Sequence, residues 1–177
     1  MKKIKCCGCS ACEQICPKKC IKMVEDEEGY LYPEIDKEKC IECGLCKKVC
    51  PMLNSEKVKQ CNENKFYKFI SKNKKIIEQS SSGGAFSEIT QAIIENNKDK
   101  TYRIYGCVFD ENLTAKHIEV DDINDISVFR KSKYLQSNIR NIYTKVYQNL
   151  KNGLVVIFTG TPCQIAGLKL FLNIKKD

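Results

Sequence analysis

Apolar positions change character along the chain. In the first 53 residues they form two short runs between cysteines. Ile21-Lys22-Met23-Val24 and Tyr30-Leu31-Tyr32-Pro33 flank an acidic turn that ends at Gly29, which predicts two short strands around a turn. Residues 54–65 are polar and poorly periodic and read as a linker. From residue 66 onward the pattern alternates between strand and helix periods. Residues 66–70 (Phe-Tyr-Lys-Phe-Ile) predict a strand. A Ser-rich segment at 80–84 opens a helix to about residue 97, with Phe86, Ile89, Ile93 and Ile94 on one face. Strands follow at 102–109 and 114–120, and Asp121 or Asp122 caps a short helix toward Phe129. Residues 138–151 predict an amphipathic helix with Ile139, Ile142, Tyr143, Val146 and Leu150 inward, stopped by Gly153. Residues 154–158 form a continuous apolar run, the pattern of a strand buried on both faces. A turn at 159–162 leads into a last helix over about 163–172.

This alternation argues for an α/β domain over 66–177, preceded by a separate module over 1–53. The expected fold class is therefore α+β. The chain stops one helix after its best strand, so the α/β domain is expected to be incomplete.

Composition sharpens the reading of the first module. The 177 residues include 13 cysteines, and ten of them lie in the first 50. No apolar stretch of about 7–15 residues follows the N-terminal lysines, so no secretory signal is expected. No apolar run approaches the roughly 18 residues needed to span a bilayer. The expected compartment is the cytoplasm, where thiols stay reduced and clustered cysteines bind metal more often than they pair.

The cysteines repeat. Cys6-x2-Cys9-x2-Cys12-x3-Cys16-Pro17 recurs as Cys40-x2-Cys43-x2-Cys46-x3-Cys50-Pro51, at a constant offset of 34 residues. Soft iron in a cluster takes thiolates, and this run is a bacterial ferredoxin pattern in which the fourth cysteine serves the other cluster. The expected ligand sets for two [4Fe–4S] clusters are Cys6, Cys9, Cys12 and Cys50 for the first, and Cys40, Cys43, Cys46 and Cys16 for the second. Pro17 and Pro51 turn the chain away with fixed φ and no N–H. Zinc would take two well-separated pairs, not a close third cysteine, a Cys-Pro ending and a full repeat. Gly44 fits the tight loop of the second copy, where the first has Ser10. Cys7 and Cys20 fall outside the pattern, as buried thiols or spare ligands, and Cys61 reads as an incidental thiol in the linker. Tyr30 and Tyr32 pack in the hairpin or against a cluster.

The formal charge is +8. Eight thiolates and two oxidised cores would bring it to about +4. The lysines are scattered, and no RNP, helix-turn-helix or finger pattern is present, so nucleic acid is not an expected partner. A solvated surface, or a basic face for an acidic redox partner, accounts for the charge.

Further chemistry lies downstream. The Ser-rich segment offers hydroxyls and free N–H groups at a helix start, which suits an anion or a plain cap. Cys163 follows the apolar strand, at a helix N-terminus where a depressed pKa is expected. His117, the single histidine, is expected at the surface.

Taken in order, the cysteine repeat, residues 80–86 (Ser-Ser-Ser-Gly-Gly-Ala-Phe), 106–110 (Gly-Cys-Val-Phe-Asp), 132–137 (Ser-Lys-Tyr-Leu-Gln-Ser) and 158–168 (Phe-Thr-Gly-Thr-Pro-Cys-Gln-Ile-Ala-Gly-Leu) resemble the coenzyme F420 hydrogenase/dehydrogenase beta-subunit family. The resemblance covers essentially the whole chain. It implies an oxidoreductase that passes electrons between clusters and FAD, with redox proteins or other oxidoreductase subunits as partners. It implies a flavin pocket that draws on Ser81, Ser82, Gly83, Gly84, Lys133, Tyr134, Gln136, Ser137, Thr161, Cys163 and Gln164, with Cys163 alternatively a cluster ligand. Family members continue well past residue 177. The alternative is a non-catalytic ferredoxin-type carrier in which only cluster binding is intact.

Overall fold

The computed structural model describes residues 5–58 and 65–176, and it separates into two compact units. The first takes Met1–Gln60, Gln136–Tyr147 and Gly160–Asp177, and the second takes Cys61–Leu135 and Gln148–Thr159. Both draw on separated stretches of chain, whereas the sequence pattern divides at 53 and 66. Periodicity reports which face of an element is apolar, not which distant segment covers it. Cys61 and half of the expected linker (59–64) lie outside the described residues.

In the first unit, β1 (Ile21–Glu25) and β2 (Leu31–Ile35) pair antiparallel, with Ile21 opposite Ile35 and Glu25 opposite Leu31. Gly29 takes φ 81 in the connecting turn, and the Asp26 carboxylate accepts the N–H groups of Glu28 and Tyr30. Tyr30 is exposed on this hairpin. Two one-turn helices, α1 (Ala11–Ile15) and α2 (Leu45–Lys48), follow equivalent positions of the cysteine repeat. Each starts from a left-handed residue, Ser10 at φ 59 and Gly44 at φ 72. A third short helix, α3 (Ser55–Val58), falls at the start of the expected linker. Ala11, Val49, Ile139, Tyr143 and Phe171 are fully buried in this unit. The rings of Tyr143 and Phe171 meet at 6.0 Å.

The last helix, α7 (Pro162–Lys176), is capped at its start by a glutamine side chain. Gln164 Oε1 accepts the Thr161 N–H at 2.9 Å, three residues back, and Pro162 occupies the first turn, where a missing N–H costs nothing.

The second unit holds α4 (Lys74–Glu78), α5 (Ala85–Glu95), β3 (Tyr102–Phe109), β4 (Ala115–Val120), a 3₁₀ helix (Ile123–Phe129) and β5 (Val155–Phe158). The sheet order is β4-β3-β5, with β4 antiparallel and β5 parallel to the central β3. Ile104, Ile126, Phe129 and Ile157 form the core, covered by Phe86, Ile93 and Ile94 of α5. α6 (Ile142–Lys151) contributes residues to both units. The α+β class is thus as expected. No helix among the described residues is long and apolar enough to cross a membrane.

Gly106 has a packing duty in this core. A Cβ there would lie 2.6 Å from the Phe129 ring, and the atom it would meet belongs to a buried aromatic. Gly106→Ala is expected to lower stability by about 1–3 kcal/mol through overpacking. Urea unfolding measures this, and an unchanged midpoint would contradict the packing.

Several expectations are corrected. Residues 66–70 form no strand, and Phe66 and Tyr67 are exposed. Their backbone runs beside Gly83 rather than a sheet edge, and Ser71 N–H donates to the Gly83 carbonyl at 2.8 Å. Ile89 and Leu150, read as inward, are exposed, while Ser87 and Thr90 are the buried residues of α5. The helix expected from 138 begins at Ile142, because the Asn138 side-chain Oδ1 accepts the Arg140 N–H and Arg140 turns at φ 48. β5 pairs with β3 alone among the described strands, and only Ile157 of it is fully buried. His117 is buried rather than at the surface. It stacks on Phe158 at 5.4 Å, and its Nε2 hydrogen-bonds the Thr159 carbonyl at 2.9 Å. Burial pushes its pKa below the ordinary value, and the carbonyl bond offsets this only in part.

Candidate metal centres

Two sulfur-lined cavities lie in the first unit. The larger, about 330 Å³, is lined by Cys16, Cys20, Cys40, Cys43 and Cys46, with Pro17, Ile21 and Ile35 among its apolar walls. The smaller, about 130 Å³, is lined by Cys6, Cys7, Cys9, Cys12 and Cys50, with Ser10, Met23, Pro33 and Cys46. The structure therefore brings Cys16 to the second cysteine run and Cys50 to the first.

Local geometry explains the crossing. The first two cysteines of each run sit in a loop ending at the left-handed residue, and the third lies in the first turn of the helix it starts. From the third cysteine to the fourth the chain advances four residues through α1 or past α2, a rise of about 6 Å on a helix. That carries the fourth sulfur away from its own loop. α1 packs on α2, so each departing cysteine reaches the opposite cavity.

The donor chemistry fits iron–sulfur clusters: at least four repeat cysteines line each cavity amid apolar walls, with Cys46 reaching both. Among the described residues, no three His, Cys, Asp or Glu side chains are grouped as a holder for one metal ion. A buried hydroxyl, Ser10 Oγ, has no hydrogen-bond partner among the described residues and belongs to a residue lining the smaller cavity.

The electrostatics have the same character. Burial pushes the Cys6 thiol up. Burial, reinforced by neighbouring Cys6, pushes Cys12 up to about 12. The Cys16 hydrogen bond and then burial push Cys20 up to about 11, and these two sulfurs are 3.3 Å apart. Burial also acts on Cys16, but backbone N–H groups of Lys18, Lys19 and Cys20 and the Cys20 thiol outweigh it and hold Cys16 below the ordinary thiol value. A dry pocket resists several thiolates at once, and a cationic iron core reverses that balance.

Cys7 and Cys163 form a separate thiol pair. The Cys163 sulfur lies 3.9 Å from the Cys7 carbonyl and 3.1 Å from Thr161 Oγ1, and the two thiols interact directly. The expected depression of the Cys163 pKa is corrected: the Cys7 hydrogen bond and burial push it far up. A neighbouring thiol and a dry setting outweigh the helix end. Cys163 is not among the residues lining either cavity. Cys163→Ser is accordingly expected to keep about eight iron per chain by metal analysis, and a fall to about four would make it a ligand.

The residues expected at a flavin pocket divide between the units. Ser81, Ser82, Gly83, Gly84, Lys133 and Tyr134 belong to the second. The Ser-rich loop lines a cavity of about 500 Å³ with Tyr67, Phe69, Phe86, Phe129, Arg130, Lys131 and Ser132. No serine caps α5, which starts from Gly84 at φ 79 without a side-chain cap. Ser81 Oγ accepts the Ser132 N–H at 2.9 Å, and Ser80 Oγ donates to the Ile76 carbonyl. Lys133 Nζ is tied back to the Arg130 and Val128 carbonyls, with its pKa lowered by burial, and Tyr134 is exposed.

Gln136, Ser137, Thr161, Cys163 and Gln164 belong to the first unit. Gln136 Oε1 accepts the Leu31 N–H at 2.8 Å. Gln164 Nε2 donates to Ser137 Oγ at 2.8 Å, and the Gln164 carbonyl accepts the Tyr143 hydroxyl at 3.0 Å. These structural duties were missed in the sequence reading. The Thr-Pro-Cys-Gln spacing carried a signal for one of them, since a threonine three residues before glutamine is a capping box.

Comparison with family models matches residues 5–54 to a 4Fe-4S dicluster domain and residues 32–108 to another 4Fe-4S dicluster domain model. No curated protein matches the chain. The two matches overlap on the second cysteine run, and residues 55–108 add only Cys61 and Cys107. The match over 5–54 spans the whole repeat and the residues of both cavities. The chain thus carries an iron–sulfur dicluster domain of the ferredoxin type, whose role is electron transfer with redox partners.

Proposed function

We propose that Cys6, Cys9, Cys12 and Cys50 hold one [4Fe–4S] cluster and Cys40, Cys43, Cys46 and Cys16 the other, in a cytoplasmic protein that feeds electrons to or from a flavin. The observation that carries this reading is the crossed lining of the two cavities. Bound clusters would supply one-electron transfer at a potential set by hydrogen bonds, charge and exposure. The protein's own residues do the rest. Eight thiolates hold the iron, Ile21, Met23 and Pro33 wall the cavities with apolar surface, and Pro17 and Pro51 lead the chain away.

The flavin part rests on the resemblance to the coenzyme F420 hydrogenase/dehydrogenase beta-subunit family. It is supported by the Ser-rich loop, which lines a cavity with Arg130, Lys131 and aromatic walls suited to an anionic, planar group. In this reading residues 1–53 are the electron inlet, 54–65 a linker, and 66–177 part of an FAD-binding oxidoreductase domain.

A second reading, a ferredoxin-type carrier without flavin, is favoured by Gln136, Ser137, Thr161 and Gln164, whose polar groups are already engaged within the first unit. Anaerobic reductive titration and titration with FAD test both. Two electrons taken up per chain together with saturable flavin binding support the first reading. Two electrons with no flavin binding support the carrier, and no electron uptake overturns both.

A further inference from the structure

Ser10 lines the smaller cavity at a position where the two cysteine loops differ. Its counterpart across the 34-residue offset is Gly44. Both take the left-handed conformation that starts a one-turn helix, at φ 59 and φ 72. A serine pays strain there that glycine avoids. It does not use its hydroxyl as a serine at a helix start ordinarily does, because no side-chain cap is made. Ser10 is 2% exposed, and its hydroxyl is buried without a hydrogen-bond partner among the described residues. A strained residue with an unsatisfied buried donor calls for an acceptor. Ser10 lines the cavity with Cys6, Cys9, Cys12 and Cys50, where the acceptors of a loaded site are sulfurs.

We propose that the Ser10 hydroxyl donates a hydrogen bond to sulfur of the first cluster or its thiolates and raises that cluster's reduction potential above the value its loop would otherwise give. This deepens the cluster assignment and rests on it. One electron enters the site on reduction, no covalent bond changes, and the proton stays on Ser10. The added negative charge strengthens an O–H···S bond, so the reduced state gains more than the oxidised one. The second site has no such donor at Gly44.

The test is an EPR-monitored redox titration of the anaerobically prepared full chain as wild type, Ser10→Ala and Gly44→Ser, with iron and sulfide measured on each. Alanine keeps the backbone conformation and removes only the hydroxyl. One midpoint is expected to fall in Ser10→Ala, with the electron equilibrium of that cluster shifting about tenfold, or about 59 mV for one electron, and the other midpoint unmoved. Gly44→Ser has room, since a Cβ at Gly44 meets nothing within 4 Å among the described residues, and it is expected to raise the other midpoint. Its shift should be smaller, because neighbouring Cys43 is exposed and water competes.

Two unchanged midpoints in an iron-replete Ser10→Ala chain overturn the proposal, as does a rise. If Ser10→Ala fails to load, Gly44→Ser decides: a raised midpoint supports the mechanism and an unmoved one overturns it. A wild-type chain that takes up no iron overturns the cluster assignment instead.

Discussion

Cys16→Ser is expected to halve the iron of the protein, and combining it with Cys43→Ser is expected to cost nothing more. Cys16 lines the cavity of Cys40, Cys43 and Cys46, although 24 residues of sequence separate it from that run and only four from Cys12. If ligation follows the cavities, Cys16 and Cys43 serve the same cluster. The double variant then keeps about four iron, held by Cys6, Cys9, Cys12 and Cys50. If each run holds its own cluster, the same double variant loses a ligand from both and nearly all its iron. Cys16→Ser with Cys9→Ser gives the mirror result, near-complete loss for crossed ligation and about four iron for local ligation. The comparison relies on pairs that act as one unit being non-additive, and it is read by iron analysis without assigning spectra.

The second large effect is expected at Gly8, between the first cysteines of the first loop. Its φ is +63, and a Cβ would sit 1.8 Å from Gln136 Nε2 and 3.1 Å from the Leu31 carbonyl oxygen. The glutamine end is flexible in principle, but Gln136 Oε1 holds the Leu31 N–H at the start of β2. Moving it breaks that bond. Gly8→Ala combines left-handed strain of about 1–2 kcal/mol with a lost buried hydrogen bond of about 1–3 kcal/mol. The expected destabilisation is about 2–5 kcal/mol by urea unfolding, with loss of iron from the first cluster. Gly29→Ala is the control. It shares the positive φ, at +81, but nothing among the described residues lies within 4 Å of its Cβ position, so only the strain part is expected. Equal effects at the two glycines would contradict the role given to Gln136.

These sites differ in how far sequence exposes them. The cysteine repeat is legible because metal chemistry fixes residue type and spacing together, and the family match over 5–54 covers the same residues. The strands at 102–109 and 115–120 are legible because side chains alternate at a strand's period and turn residues bound them. Residues 66–70 misled because an aromatic, β-branched run states only what a strand would accept, while pairing depends on a sheet edge elsewhere. His117 alternates with apolar neighbours as a strand residue should, but its stacking partner Phe158 comes from a distant strand. Gln136 and Gln164 look like ligand-binding polar residues in sequence. Only the fold shows their amides engaged with Leu31, Ser137 and Thr161. Ser10 is the converse case, an ordinary loop serine by sequence whose missing partner becomes visible only once the side chains are placed.

The most direct test of the account is iron, zinc and acid-labile sulfide analysis of the full chain purified without oxygen. Two crossed thiolate sets predict about eight iron and eight sulfide per chain with no stoichiometric zinc. Zinc in place of iron, or iron without sulfide, would contradict it.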